Sequence, residues 1–382
     1  MSENNNVINL KILHCGDIHL DSPFLDVTPE KSEERRRELR STFMRLMEFI
    51  RDKGVDYVLI SGDLFDTAYA TNVTSEILIR EFYNCHDTQF IIAPGRSDSY
   101  EHNLIYSSDR LPANCHVFKK EGLDRLYFER DRLMVYGWGF RTSELACNPL
   151  YDAHVDDNAI INIVCGYADL DGEVGSTICP ISKADLKRFG ADYYALGSRH
   201  EATDLISLGT SMYSYSGSLE CMGFEESGIG GAKLITVKYN DGELSMDGKN
   251  MTFGRIRFVT EEIDITGVNT NNEIINRISR MISDKKYGVE TALRCVLVGK
   301  VEPRFAIPQN LENDVFGLYS FELCDKTLPL FGTDTFKRDM SVKGELYRTL
   351  LPSLESADED ERLVAARAFR EGLAALENRS LD

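Results

Sequence analysis

The chain has 382 residues, 42% hydrophobic and 27% charged, which is an ordinary globular composition and long for one core, so one large domain plus a smaller one is expected. Its 43 basic and 62 acidic residues leave a net charge of −19, which opposes direct DNA binding unless basic residues cluster locally or a partner supplies the contacts. No apolar run spans a membrane, no leader is read in MSENNNVINL, and nine cysteines without CxxC pairs argue for reduced thiols in a cytoplasm and against a disulfide framework or zinc ribbon.

The first two-thirds of the chain alternates strand-like and helix-like segments. NLKILHCGD (9–17) is a short apolar run ending in polar residues. Residues 32–54 carry Leu39, Phe43, Leu46, Met47 and Ile50 at helical spacing, stopped by Gly54. VDYVLISGD (55–63) reads as a buried strand, 74–85 as a helix, and QFIIAPG as a third strand. Strands follow at 132–140 and 159–166, then a helix at 182–189 leading to DYYALGSRH (192–200). This is a βαβ layout, with a largely buried sheet covered by helices.

After Ser207 the segments SMYSYSG, GAKLITVKY, GELSMDG and RIRFVTEEIDI are strand-like, with glycine and Asp-Gly turns, and read as a second, partly antiparallel sheet. A new unit begins around 256–262, with a helix at 271–284 and a strand at 291–301. Residues 355–379 form an amphipathic helix capped by Asp358 or Ser356. Leu363, Ala366, Phe369, Leu373 and Leu376 share one face of it, which reads as self-packing in preference to partner docking.

Polar groups gather at the carboxyl ends of these strands. Asp17 and His19 follow the first, Asp63 and Asp66 the second, and Arg96, Ser97 and Asp98 the third; Cys165 ends a later strand, and Ser198 and His200 another. Carboxyl ends of parallel strands share one sheet edge, so these side chains can converge. Aspartate and histidine together suit a borderline divalent metal such as Mn, Fe or Zn. His14 reads as a packed core residue, His86, His116 and His154 as surface or loop residues, and His102 as a side chain able to swing toward the site.

Read in order, KILHCGDIHLDSPF, YVLISGDLFD, IIAPGRSD, YYALGSRH and YSYSGSLECMGFEE resemble the calcineurin-like metallophosphoesterases, and in particular their SbcD-like and YhaO-like DNA repair exonuclease branch. The resemblance runs from about residue 10 to 226. It implies a four-layer α/β/β/α sandwich (1–255) with a smaller C-terminal α+β cap (256–382) that docks partners. In that family two metal ions, often manganese, lie side by side and activate water against a phosphodiester. The resemblance gives Asp17, His19, Asp63 and His200 as the first ion's ligands. At the second ion the family's Asn is Arg96 and the first His of GHxH is Ser198, while Cys165 aligns with the middle-strand His. Ser97 stands where the catalytic His is expected, so no catalytic residue is assigned.

One divalent metal is therefore expected, manganese first, with Fe or Zn as alternatives. Arg96 would stand in electrostatically at the second position, pairing with Asp63 or a phosphate oxygen. Asp66 and Asp98 read as supports behind the ligands or as phosphate contacts. Arg199 reads as either a phosphate contact or a salt bridge. The resemblance implies phosphodiester hydrolysis on DNA ends, weak or altered by the lost metal set. The alternative is an inactive pseudo-nuclease serving an SbcC-like or YhaN-like coiled-coil ATPase. A homodimer and DNA are the other partners implied.

Overall fold

The computed structural model describes residues 7–25, 27–101, 103–155, 159–173, 175–226, 228–307, 316–330 and 336–377. His102 lies outside them. The chain forms two compact units, Met1–Met222 with Glu226–Arg255, and Gly223–Glu225 with Ile256–Asp382.

In the first unit, β1 (Ile8–Cys15) leads through α1 (Pro29–Lys53) to β2 (Tyr57–Ile60), then through α2 (Asn72–Asn84) to β3 (Gln89–Ile92) and β4 (Cys115–Val117). Neighbours among these four strands pair in parallel. Thr28 caps α1 at its start with Pro29 in the first turn, and Gly54 ends it in the left-handed conformation at φ 58°. Leu39, Phe43, Leu46, Met47 and Ile50, read from spacing alone, are all buried.

The second sheet is built from β5 (Asp124–Phe128), β6 (Leu133–Gly137) and β7 (Ile161–Tyr167), followed by the short pair β8 (Asp169–Leu170) and β9 (Pro180–Ile181) that stands outside it. The helix α3 (Lys183–Phe189), opened by a Ser182–Asp185 capping box, leads to β10 (Tyr193–Gly197), β11 (Ile206–Leu208) and β12 (Ser211–Tyr215). Then β13 (Gly231–Asn240) and β14 (Glu243–Thr252) return to the first sheet, where β13 pairs antiparallel with β1. Each sheet has six strands, ordered β14-β13-β1-β2-β3-β4 and β11-β12-β10-β7-β6-β5.

Strand alternation sorts the apolar side chains into layers. Leu10, Ile12, Leu59, Ile91, Val135, Ile163, Cys165, Ala195 and Ile235 form the core between the sheets. Leu13, Val58, Ile60, Phe90 and Ile92 face the other way, onto α1 and α2. Met134, Val164, Tyr194 and Leu196 pack with Leu186 and Phe189 of α3. These layers make the α/β/β/α sandwich. The segments after Ser207 do not form a sheet of their own. β12 pairs in parallel with β10, and β13 and β14 extend the first sheet through β1.

The second unit holds β15 (Arg257–Asp264), α4 (Asn271–Lys285), β16 (Thr291–Val298), β17 (Lys300–Val301), β18 (Ser320–Asp325), β19 (Leu328–Pro329), α5 (Val342–Leu354) and α6 (Glu359–Leu376). β16 pairs in parallel with both β15 and β18. Asp358 caps α6, accepting the Asp360 and Glu361 backbone N–H groups. Phe369 and Leu373 pack against Tyr347 of α5, so this face of α6 is consumed within the unit.

Candidate metal centre

The turns after β1 and β2 are zipped together. Asp17 N–H donates to the Gly62 carbonyl, Ile18 and His19 to Asp63, and Leu20 to Leu64. Asp17, His19 and Asp63 all lie at positive φ, 47°, 49° and 52°, as does Ser198 at 102°. Non-glycine residues in this region carry strain that the surrounding structure must hold, which marks functional turns.

His19 and His200 are oriented in the same way. The His19 Nδ1 lies 2.8 Å from Asp66 Oδ1, and the His200 Nδ1 2.5 Å from Glu226 Oε1. Both Nε2 atoms are thereby turned inward, 3.3 Å apart. His19 Nε2 is 3.7 Å from Asp63 Oδ2, and His200 Nε2 is 3.8 Å from Asp17 Oδ1. Ligands on one ion with bonds of about 2.0–2.2 Å sit about 3.0–3.6 Å from one another, close to these separations. A carboxylate behind each imidazole is the arrangement that fixes a metal-binding tautomer. Asp66 is therefore a support behind His19, and Glu226, assigned no role from sequence, is its counterpart behind His200.

The electrostatics agree with this reading. Burial pushes the Asp17 carboxyl up to about 7, with the Asp63 charge adding to the effect. Its Oδ2 accepts the Ser198 N–H at 3.2 Å, but its Oδ1 is buried with no hydrogen-bond partner among the described residues. A buried oxygen in that state calls for a cation. For His19, burial alone would lower the pKa; the Asp66 hydrogen bond and the Asp63, Asp66 and Asp17 charges outweigh it and raise the value to about 9. His200 is also raised, since the Glu226 hydrogen bond and the Asp17 charge overcome burial.

Asp98 is a brace. Its fully buried carboxylate accepts the backbone N–H groups of Asp63, Leu64 and Gly95 and the Tyr106 hydroxyl, tying the end of β3 to the end of β2. Asp21 of the HLDSPF run is another, holding Arg40 of α1 at 2.9 Å and the Thr71 cap of α2 at 2.8 Å. His14 is a core residue, with Nδ1 2.7 Å from the Tyr193 hydroxyl and Nε2 3.1 Å from Ser61 Oγ; burial lowers its pKa to about 3. Arg199 stacks on Tyr215 and donates to the Leu170 carbonyl.

Two expectations are corrected. Arg96 does not pair with Asp63. It is exposed, with no ion pair among the described residues, and the Asp63 carboxylate is taken instead by the Ser97 N–H at 2.7 Å and the Ser97 hydroxyl at 3.3 Å. Cys165 does not reach the site. It points into the core between the sheets, and burial raises its thiol pKa. With a two-residue period, the next side chain on that inner face is Tyr167, the last residue of β7, paired with Gly197 just before Ser198. Its ring lies beside Asp63, and burial together with the Asp63 and Asp17 charges raises its pKa. The position was legible only from the strand register, two residues beyond Cys165.

The model of the family described as calcineurin-like phosphoesterase matches residues 10–201. The chain belongs to that family. It is 26% identical over 307 residues, 76% of this chain and 72% of the relative, to the uncharacterized metallophosphoesterase YhaO of Bacillus subtilis. Among solved structures it is similar to a dimetal phosphatase from Danio rerio, with 10% identity, 64% of this chain and 98% of that one covered, and a TM-score of 0.40. It is also similar to a purple acid phosphatase from yellow lupin, with 12% identity, 64% and 54% covered, and a TM-score of 0.33. Membership of this phosphoesterase family implies use of a divalent metal. Asp17, His19 and His200, with Asp63 beside His19 and an Asp17 oxygen without a hydrogen-bond partner among the described residues, are a donor set that fits one ion.

Proposed function

We propose that this chain is a slow, one-metal phosphodiesterase acting on DNA ends, in the manner of the DNA repair exonuclease branch. The observation that carries the reading is the convergence of Asp17, His19 and His200, whose ligand atoms lie within 4.8 Å of one another, beside Asp63. A divalent ion bound there supplies Lewis acidity toward a phosphoryl oxygen and acidifies water. Asp66 and Glu226 hold the two imidazoles with Nε2 facing inward, and the Ser198 N–H fixes the Asp17 carboxylate. Arg96, exposed at the tip of the loop after β3, is free to meet a phosphate oxygen of the substrate. Manganese is the expected ion, with iron or zinc compatible with the same ligands.

Turnover is expected to be low because Ser97 occupies the place of a proton-transferring histidine. Its hydroxyl is committed to Asp63 and does not titrate near neutral pH. Loss of such a group costs about 10²–10⁴ in rate. That observation also favours the second reading, a non-cutting subunit of an SbcC-like or YhaN-like coiled-coil ATPase complex that uses the ion to hold a DNA end. A manganese-dependent assay on double- and single-stranded DNA and on an aryl phosphodiester separates the two. Slow turnover abolished by His200→Ala supports the hydrolase. Absence of turnover in a protein that retains one bound ion leaves the non-cutting subunit as the function.

A further inference from the structure

The position beside Asp63, where the family's second ion would sit, is built differently from the first. Of the side chains that replace the usual ligands, Arg96 is exposed and Cys165 faces the core. The Ser198 hydroxyl donates to the Ala168 carbonyl at 2.7 Å. The Asp63 Oδ1 accepts the Ser97 N–H at 2.7 Å. The Tyr167 ring packs against this turn. A Cβ on Gly95 would lie 2.8 Å from Tyr167 Cδ2 and 2.5 Å from Asp63 Oδ1, and one on Gly62 would lie 2.4 Å from the same ring carbon. Both glycines thus make room for an aromatic ring packed against the carboxylate, and Gly62 additionally sits at φ 103°.

We infer that the Tyr167 ring, packed beside Asp63, takes the place of the second ion, so that the centre holds one metal by construction. The inference rests on the one-ion reading above and extends it, because it names the residue that excludes the second ion. The excess positive charge of a second ion is thereby exchanged for hydrogen bonds from Ser97 and the packing of the Tyr167 ring. The Asp63 carboxylate is thereby satisfied without Lewis acidity.

The test is a titration with manganese(II) alone, followed by electron paramagnetic resonance and by metal counting on the desalted protein. The wild-type chain is expected to bind one equivalent and show the six-line signal of an isolated ion. The double variant Tyr167→His with Ser198→His vacates the space and supplies two imidazoles beside Asp63. It is expected to bind a second equivalent and show a spin-coupled pair. A second, coupled ion in the wild type would overturn the inference, as would a double variant that melts like wild type yet holds one uncoupled ion.

Should the double variant not fold, iron(III) loading of wild type and Tyr167→Phe decides the matter. No phenolate-to-iron visible band in either protein is expected. A band present in wild type and lost in Tyr167→Phe would make Tyr167 a ligand and end the proposal. A wild-type chain that binds no manganese would strike the one-ion reading itself, a different failure from binding two.

Discussion

At the scale of the residue, the centre depends on side chains one step behind the ligands. Glu226 meets His200, and it anchors itself by accepting the Met222 N–H at 3.0 Å. Glu226→Ala should weaken manganese binding about 10- to 100-fold with little change in melting temperature, read by competition against a fluorescent chelator. Proton linkage gives a second expectation. Binding requires neutral His19 and ionised Asp17, which in the metal-free protein hold their protons up to about 9 and about 7. Calorimetry at pH 7 in buffers of different ionisation enthalpy should show proton release, and affinity should rise with pH up to about 9. The sign for the metal-free fold follows from His19, whose stabilising pairing is complete below its ordinary 6.5 and lost as pH rises through about 9. The four candidate ligands stand out in the sequence because they fall just after strand ends, in motifs that the family resemblance picks out. Glu226 was not, because it reaches His200 from a loop 26 residues further on.

At the scale of the element, the structure explains why a spacing argument succeeds for helices and fails for one strand. α1 carries its buried stripe and its Gly54 stop within residues 32–54, with its Thr28 cap and Pro29 just upstream, so that segment specifies it within a few positions. Placing Cys165 requires the register of β7 against β10, which no local pattern encodes; that register puts Tyr167, one pleat further along, opposite Gly197. α5 was also missed; Pro352 interrupts its pattern, and its burial comes from packing against α6. The sequence marks β13 as a strand but not its sheet, since pairing with β1 is set by contacts more than 200 residues apart in sequence. The turn after β3 gives the sharpest prediction at this level. Gly95→Ala would put a Cβ 2.9 Å from the Asp63 backbone nitrogen and 2.5 Å from its carboxylate. It should abolish manganese binding, measured by metal counting, while the far-ultraviolet circular dichroism of the sandwich is retained.

At the scale of the whole molecule, the charge of −19 bears on how DNA would be met. Phosphate neutralisation by Lys and Arg sets both affinity and salt dependence, and an acidic chain offers few such contacts. The isolated chain should therefore bind a DNA duplex weakly, with a shallow slope of log affinity against log salt in fluorescence anisotropy. Addition of a basic partner subunit should steepen that slope. Among the described residues no helix is long and apolar enough to cross a membrane. Such a partner, if it docks on the C-terminal helices as the family resemblance suggests, must use a face of α6 other than the one Phe369 and Leu373 bury against α5.

The central claim is one ion held by Asp17, His19, Asp63 and His200, with Tyr167 in place of a second. The measurement that meets it most directly is an anomalous difference map from crystals grown with excess manganese. The account predicts one peak per chain, bounded by those four residues, with the Tyr167 ring against Asp63 and no density between Asp63 and Ser97. A second peak on the far side of Asp63, with Tyr167 displaced, would contradict it.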